Sequence, residues 1–207
     1  MPAVFSNRPL VLPGIPYLPP VWWFVNVLSN SPVRLLEGLP YTRKLHLQQA
    51  RLAGPGGVVK LSVPVCSESR TVAEARIDVQ QPWQKVHWQT IQSLYGRSPF
   101  FPYYADEIKE LLMQPPGTLA AFNRELFSCL CRQMKYPVPD IEMIRLEGAD
   151  IFNSIRQLAR LETECGHPAY PQVFQSRTGF LPGLSVLDLL MNQGPAAAPY
   201  LQKLIAG

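Results

Sequence analysis

Prolines are distributed along the whole length of this 207-residue chain, and they limit how long any helix or strand can be. The sequence contains 22 of them, roughly twice the number that an average usage near 5% would give. Proline fixes one backbone angle and lacks an amide hydrogen, so it interrupts helices and central strands. Because these prolines form no tract, they indicate many short elements joined by fixed turns rather than a disordered linker.

Extended segments are predicted mainly in the first half of the chain. Gly54-Pro55-Gly56-Gly57 separates two extended runs, and glycine-rich punctuation of this kind is a hairpin signal. Ala75, Ile77 and Val79 alternate with polar residues, which is typical of a half-buried strand. Strands are expected at residues 9–12, 33–37, 45–52, 58–65, 75–79 and 141–146.

After Pro82 the spacing of apolar residues changes from that of a strand to that of a helix. A stripe with one residue every four positions predicts an amphipathic helix that ends near Gly96. Its members are Trp83, His87, Ile91 and Tyr95. Further helices are expected at residues 102–113, from Thr118 onward, at 185–193 with a capping box from Ser185 to Asp188, and at 199–205. This order predicts one α+β domain over residues 1–207, with mainly antiparallel strands in the first half packed against helices from about residue 84 onward.

Charge and cysteine spacing exclude several classes of function. The net charge is +4, but the basic residues are dispersed, so no nucleic-acid partner is expected. The four cysteines and three histidines lack the spacing of zinc ligands, and no metal site is predicted. The proline-broken N-terminus does not read as a signal peptide, and no apolar run reaches about 18 residues. A cytoplasmic location with free thiols is therefore expected.

The densest group of aromatic residues lies between residues 76 and 104 and contains His87. Imidazole is the usual acid–base group near neutral pH, and aromatic rings offer flat faces to a sugar or a nucleobase. A cleft is therefore predicted with His87 as the catalytic group and Asp78 as its carboxylate partner. The alternative is that His87 faces the core, with a main-chain carbonyl and a hydroxyl on its ring nitrogens. The candidate substrate-binding aromatics are Trp83, Trp88, Tyr95, Tyr103 and Tyr104.

A series of uncommon strings, in a fixed order, runs through most of the chain. They are residues 17–20 (YLPP), 61–65 (LSVPV), 87–88 (HW), 98–104 (SPFFPYY), 170–174 (YPQVF), 179–180 (GF), 184–190 (LSVLDLL) and 194–195 (GP). By these strings the chain resembles the WbqC-like protein family, in the compact form found in bacteria of the Bacteroidetes type. The resemblance implies a cytoplasmic role in bacterial surface-polysaccharide (O-antigen-type) biosynthesis, in which the family is described as a candidate transferase.

One basic stretch departs from the family pattern. Such proteins typically carry Tyr-x-Lys followed by Tyr-Arg-Asn-Arg. Here Tyr41-Thr42-Arg43 keeps the first part, whereas residues 46–49 read HLQQ and lack both arginines. Lys44 and Arg51 would replace those arginines only if the register of the alignment shifts.

Two functions therefore stand as hypotheses. The missing arginines favour a non-catalytic binding or scaffold role. The alternative is a transferase in which His87 is the acid–base group, while Arg43 and Lys44 hold an anionic donor. That donor would be a nucleotide-sugar, an acyl donor or an aminoacyl donor, and the sequence indicates no particular cofactor.

Overall fold

The structure is a computed structural model that describes residues 11–30, 32–145, 151, 155–156 and 168–206. Its elements are short, as the proline distribution predicts, and the longest described helix has 15 residues. In chain order the elements are β1 (Val11–Leu12), α1 (Val21–Ser29), β2 (Val33–Leu36), a 3₁₀ turn (Arg43–Leu45), β3 (Gln49–Gly54), β4 (Gly57–Ser62), α2 (Trp83–Tyr95), α3 (Phe101–Met113), α4 (Leu119–Gln133), β5 (Ile141–Ile144), α5 (Gln175–Thr178), α6 (Val186–Gln193), a second 3₁₀ turn (Gly194–Ala196) and α7 (Ala197–Ala206). None of the described helices is long and apolar enough to span a membrane.

The strands form two separate sheets. β1, β2 and β5 pair in parallel in that order, and Leu35 in the middle strand lies opposite Leu12 and Met143. β3 and β4 form the predicted antiparallel hairpin around Pro55 and Gly56. The mixture of helices and strands is thus confirmed, but the mainly antiparallel arrangement is not. Parallel strands need a crossover between them, and α1 lies between β1 and β2 in the chain.

The first helix begins much earlier than residue 84, where the sequence predicts helices to begin. α1 occupies a segment whose composition indicates only that it is apolar. The carbonyl of Pro20 accepts hydrogen bonds from the amides of Trp23 and Phe24 at 3.0 and 3.1 Å, which starts the helix. Six of the nine residues of α1 are buried. A helix buried on nearly all sides lacks a polar face, so periodicity cannot distinguish it from a buried strand.

The helices predicted after Pro82 are confirmed, and their caps follow the sequence. α2 buries the stripe that begins at Trp83. At the start of α4 the hydroxyl of Thr118 accepts a hydrogen bond from the amide of Ala121 at 3.3 Å. At the start of α6 the hydroxyl of Ser185 accepts one from the amide of Leu187 at 3.1 Å. Most of residues 150–160, whose sequence has helical propensity but weak patterning, lie outside the described part of the chain.

Two predicted strands are shorter than their sequence patterns indicate. The strand predicted from residue 45 begins only at Gln49, because the residues before it form the first 3₁₀ turn. The strand predicted at 75–79 makes only isolated bridges, from Ile77 to Val65 and from Arg76 to Thr118. Val79, the last residue of the alternating pattern, is 66% exposed. The alternation therefore stops after Ile77.

A buried asparagine in α4 joins two loops that are distant in sequence. The side-chain amide of Asn123 donates hydrogen bonds to the carbonyls of Ile15 at 2.7 Å and Leu47 at 2.9 Å. The carbonyl of Leu47 also accepts a hydrogen bond from the amide of Tyr17 at 2.8 Å. Buried main-chain carbonyls need donors, and here one side chain supplies them to both the segment before α1 and the segment before β3.

We expect Asn123→Ala to lower the free energy of unfolding by roughly 2 to 4 kcal/mol, since it removes two buried hydrogen bonds and deprives the Ile15 carbonyl of its donor. Urea denaturation followed by circular dichroism measures the change. Glu125→Ala, at an exposed position of the same helix, is the matched control and should change stability by no more than about 0.5 kcal/mol. Equal effects of the two substitutions would contradict this role for Asn123.

Candidate functional site

A pocket of about 410 Å³ lies between α1 and the β3–β4 hairpin. Its lining includes polar and basic residues of the first 3₁₀ turn and of the hairpin. It also includes apolar residues of α1 and of the segment before it. We call this the basic pocket, and the residues that define it are Leu18, Trp22, Lys44, His46, Arg51 and Lys60.

The hairpin register places two of the positive side chains next to each other. Arg51 in β3 pairs directly with Lys60 in β4. Directly opposed residues of an antiparallel pair point to the same face, with their Cβ atoms about 4.5 to 5.5 Å apart. Like charges that are directly opposed in this way repel each other.

Lys44, in the 3₁₀ turn before β3, and His46, directly after that turn, also line the pocket. The hydroxyl of Thr42 accepts a hydrogen bond from the amide of Lys44 at 3.4 Å and caps this turn. His46 follows in the left-handed conformation with a φ of 54°, and its Nδ1 lies 3.1 Å from Oε1 of Gln49. An exposed imidazole is thereby fixed at the entrance of β3.

Backbone strain is concentrated around the basic pocket. Three described residues other than glycine have a positive φ, and two of them, Leu18 at 42° and His46 at 54°, line the pocket. The left-handed region costs an L-residue roughly 1 to 2 kcal/mol. Strain of this kind persists where the surrounding contacts impose it, and it is frequent at binding sites.

Main-chain hydrogen bonds join a distant segment of the chain to α1 and to β3, which both contribute residues to the pocket lining. The amide of Ser185 donates to the carbonyl of Arg51 at 2.8 Å, and the amide of Val21 donates to the carbonyl of Leu184 at 2.9 Å. Gly183, in the same segment, lines the pocket with a φ of 66°. The start of α1 and the middle of β3 are therefore both held by the residues that lead into α6.

Basic side chains outnumber acidic ones among the described residues that line the pocket. Lys44, Arg51 and Lys60 line it together with His46, whereas none of the described lining residues is acidic. A concave surface with charges of one sign focuses the electric field and concentrates counter-ions. Within the described residues no group of three histidine, cysteine, aspartate or glutamate side chains could hold a metal ion. The arrangement therefore suits a small anion.

His87 lies outside the basic pocket. It is 4% exposed, with Nδ1 3.0 Å from the hydroxyl of Tyr17. The rings of Tyr17 and Trp83 pack against it, with centroids at 5.5 and 5.1 Å. Burial lowers the pKa of His87 to about 4, partly offset by an interaction with the main chain of Ser62. A hydroxyl and a main-chain group on the imidazole are the contacts expected of the core-facing alternative, so the catalytic role of His87 stays a prediction.

The predicted aromatic cleft does not form one surface. Trp83 and Tyr95 are buried, while Tyr103 is 78% exposed. Trp88 stacks on Phe101 with ring centroids 5.9 Å apart, and the ammonium of Lys109 lies 5.6 Å from the Trp88 ring centroid. Tyr104 is half-buried, and none of the five candidate aromatics lines the basic pocket.

Of the predicted charged residues, only one lies in the pocket. Lys44 lines it, but Arg43 does not. The carboxylate of Asp78 accepts a hydrogen bond from the amide of Gln80 at 2.9 Å, which is a turn interaction rather than the predicted contact with His87.

Lys60 is not among the site residues predicted from the sequence, although a signal for it is present. Three residues separate Arg51 from the Pro55-Gly56 turn, and three separate that turn from Lys60. In a hairpin with a two-residue turn, residues at equal distances from the turn are opposed. The paired cations of the pocket could therefore be read from the hairpin signal itself.

A second polar cluster, also missed from the sequence, surrounds Asp188. The capping box predicts that this carboxylate bonds to the main chain of Ser185. Instead it is fully buried and accepts a hydrogen bond from the hydroxyl of Tyr170 at 2.8 Å. The hydroxyl of Tyr95 interacts with the same carboxyl. This hydroxyl also accepts a hydrogen bond from the amide of Ala53 at 3.0 Å. Burial raises the pKa of Asp188 to about 6, despite the tyrosine hydrogen bonds that lower it.

His87 and Asp188 are expected to change the free energy of unfolding in opposite directions between about pH 4 and 6. The pKa of His87 is about 4 in the folded state against 6.5 for the free group. The unfolded chain therefore binds the proton first, and acidification destabilises the fold. The pKa of Asp188 is about 6 against 3.8 for the free group. At Asp188 the folded chain therefore binds the proton first, so acidification stabilises the fold.

Urea denaturation of His87→Gln and Asp188→Asn over this pH range tests both contributions. Relative to wild type, stability should rise less with pH in His87→Gln and more in Asp188→Asn. Each difference in slope should reach up to about 1.4 kcal/mol per pH unit. Stability profiles of the two variants that run parallel to that of the wild type would contradict the buried states of these groups.

Comparison with known proteins places the chain in a family. A model of the WbqC-like protein family matches residues 16–160 and 150–200, which include every residue that defines the basic pocket. The chain is similar to the uncharacterized protein Rv1507c of Mycobacterium tuberculosis, with 23% identity over 218 residues, 90% of this chain and 94% of that protein. No solved structure matches the chain significantly. Since the family model spans most of its length, the chain belongs to the WbqC-like protein family.

Proposed function

We propose that this protein has a binding role, with a small anionic molecule in the basic pocket as its ligand. The observation that carries the proposal is that the exposed lysines Lys44 and Lys60 line one pocket of about 410 Å³. Pockets of roughly 300 to 1,000 Å³ with a few convergent polar groups are typical of small-molecule sites. The strained backbone of Leu18 and His46 at the same pocket supports a site rather than a packing defect.

The pocket lining contains both basic and apolar residues, which indicates a ligand with two chemically different parts. An anionic group would lie against the lysine ammonium groups of the 3₁₀ turn and of β4. A ring or chain would lie against Leu18 and Trp22, since both also line the pocket. Nucleotide-sugars and acyl or aminoacyl donors bound to a nucleotide share this division between a charged and a less polar part. A cytoplasmic role in surface-polysaccharide synthesis would supply such molecules, and it remains part of the proposal.

The transferase alternative uses the same pocket for its donor and therefore predicts the same ligand class. It differs in requiring an acid–base group close to that ligand. Of the two described histidines, His46 lines the basic pocket, whereas His87 is buried against Tyr17 and Trp83. A binding role needs no contribution from His87, and this is the simpler account of its enclosed position.

A thermal-shift screen against nucleotide-sugars, acyl-CoAs, amino acids and ATP tests the proposal. A ligand at about 100 times its dissociation constant adds roughly 2.7 kcal/mol to stability, which raises the midpoint by about 5 to 10 °C in a chain of this size. We expect such a shift from an anionic class. Lys60→Ala should weaken binding about tenfold and so reduce the shift by about half.

Two further variants separate the hypotheses. Lys85→Ala removes the same charge from an exposed position of α2 outside the pocket, and it should leave the shift unchanged. His87→Gln should also retain the ligand shift, although its midpoint without ligand falls. Loss of the shift in His87→Gln, with Lys60→Ala unaffected, would move the site to the aromatic unit and contradict the proposal.

A further inference from the structure

We infer that His46 is a ligand-binding residue of the basic pocket, and that it binds the anion through Nε2 when its imidazole is protonated. Binding is then tighter at lower pH. The inference rests on the proposed function and specifies how binding at that site is regulated. Gln49 acts as the positioning residue, because it determines which ring nitrogen is left for the ligand.

The main chain around His46 holds its side chain at the pocket. The residue is exposed and lines the pocket together with Lys44 and Lys60. Its amide donates a hydrogen bond to the carbonyl of Arg43 at 3.1 Å, and its φ is 54°. Few residues other than glycine adopt this left-handed conformation, and histidine is among those that do so more often. The imidazole is therefore presented at the pocket by a turn of fixed geometry.

Gln49 engages one of the two ring nitrogens. Nδ1 of His46 lies 3.1 Å from Oε1 of Gln49. An amide oxygen accepts hydrogen bonds and cannot donate them, so Nδ1 carries the hydrogen. The other nitrogen, Nε2, has no hydrogen-bond partner within the described part of the chain. It is thus the atom of the ring that a ligand can use.

The protonation state of the imidazole decides whether Nε2 attracts or repels an anion. In the neutral ring with its hydrogen on Nδ1, Nε2 presents a lone pair, which repels an anionic oxygen. In the imidazolium, Nε2 donates, and a hydrogen bond between charged groups is roughly twice as strong as one between neutral groups. Histidine side chains typically change their charge between about pH 5 and 8, so the difference falls in the physiological range.

The charged groups around His46 leave the ligand as the partner of the imidazolium. Arg43 and Lys44 come from the 3₁₀ turn, Arg51 from β3 and Lys60 from β4, whereas none of the described residues that line the pocket is acidic. Arg51 already has an interaction partner. No carboxylate of the described lining competes with the anion for the protonated ring. Because a bound anion favours the charged imidazole, binding should be accompanied by uptake of a proton.

Two anions of fixed charge serve as probes: UDP-glucose, in which both phosphates are esterified, and naphthalene-2-sulfonate. Neither changes its own charge between about pH 5.5 and 8, so a pH dependence of binding comes from the protein. Isothermal titration calorimetry measures the dissociation constants across this range. We expect the wild-type protein to bind roughly fivefold more tightly at about pH 5.5 than at about pH 8.

Three variants test the roles of the two side chains. His46→Asn keeps a residue that tolerates the left-handed conformation but carries no charge, so the pH dependence should disappear. His46→Lys is charged throughout the range, and Lys135 adopts the same conformation in this chain with a φ of 55°. It should bind at both pH values as tightly as the wild type does at the lower one. Gln49→Glu places a carboxylate on Nδ1 and should move the midpoint of the pH dependence to higher pH.

Controls separate this effect from general electrostatics. Lys60→Ala should weaken binding about tenfold at both pH values and keep the ratio between them. Lys85→Ala should behave as the wild type. In two buffers of different ionisation enthalpy at about pH 7, the wild type should take up a fraction of a proton on binding, and His46→Asn should take up none. Circular dichroism checks that each variant folds.

The outcomes distinguish this inference from the proposed function. If the probes bind in a manner that depends on Lys60, but His46→Asn retains the wild-type pH dependence, the pocket is an anion site and the role of His46 is wrong. An unchanged midpoint in Gln49→Glu would contradict the positioning role of Gln49. If neither probe binds at either pH, both the inference and the proposed function are wrong.

Discussion

Main-chain hydrogen bonds between three segments that are far apart in the sequence hold the basic pocket together. The carbonyl of Arg51 accepts a hydrogen bond from the amide of Ser185, and the carbonyl of Pro19 accepts one from the amide of Val186, both at 2.8 Å. Pro19 lies outside the sheets, and β3 has no strand on its other side within the described residues, so these buried carbonyls need donors from elsewhere in the chain. Asn123 supplies the remaining donors from α4 to the carbonyls of Ile15 and Leu47. The pocket is therefore a consequence of how buried loops find hydrogen-bond partners.

The main chain of the hairpin and of the turn before it forms the scaffold of the pocket, and side chains of these elements line it. The hairpin fixes Arg51 and Lys60 through six paired positions. The turn before it fixes Lys44, and its exit forces His46 into a left-handed conformation. Lysines held by rigid main chain would need little reorganisation to bind the proposed anion. The carboxyl of Asp188 is buried in α6, just after the segment whose amides bond to β3 and to Pro19. It interacts with the hydroxyls of Tyr170 and Tyr95.

The aromatic unit between residues 76 and 104 shows how far a sequence pattern can be taken. The stripe through Trp83, His87 and Tyr95 correctly predicts α2 and its buried face. It does not tell whether that face meets a cleft or the core, because both present the same spacing. Here Tyr17 and Phe122 cover it, and they come from segments with no local relation to α2. Trp83, His87 and Tyr95 are thus core residues in the structure.

The sequence by itself determined the local elements whose signals span only a few residues. These include α2 with its stripe, the cap of Thr118, and the hairpin around Pro55 and Gly56, because periodicity, capping and turn chemistry act between near neighbours. The family and its mixed helix–strand class also followed from the sequence. Only the tertiary structure decided that β2 pairs in parallel with β5 and that Lys44, Arg51 and Lys60 line one pocket with Gly183. Such contacts depend on which distant buried groups satisfy each other, and no short-range pattern encodes that choice.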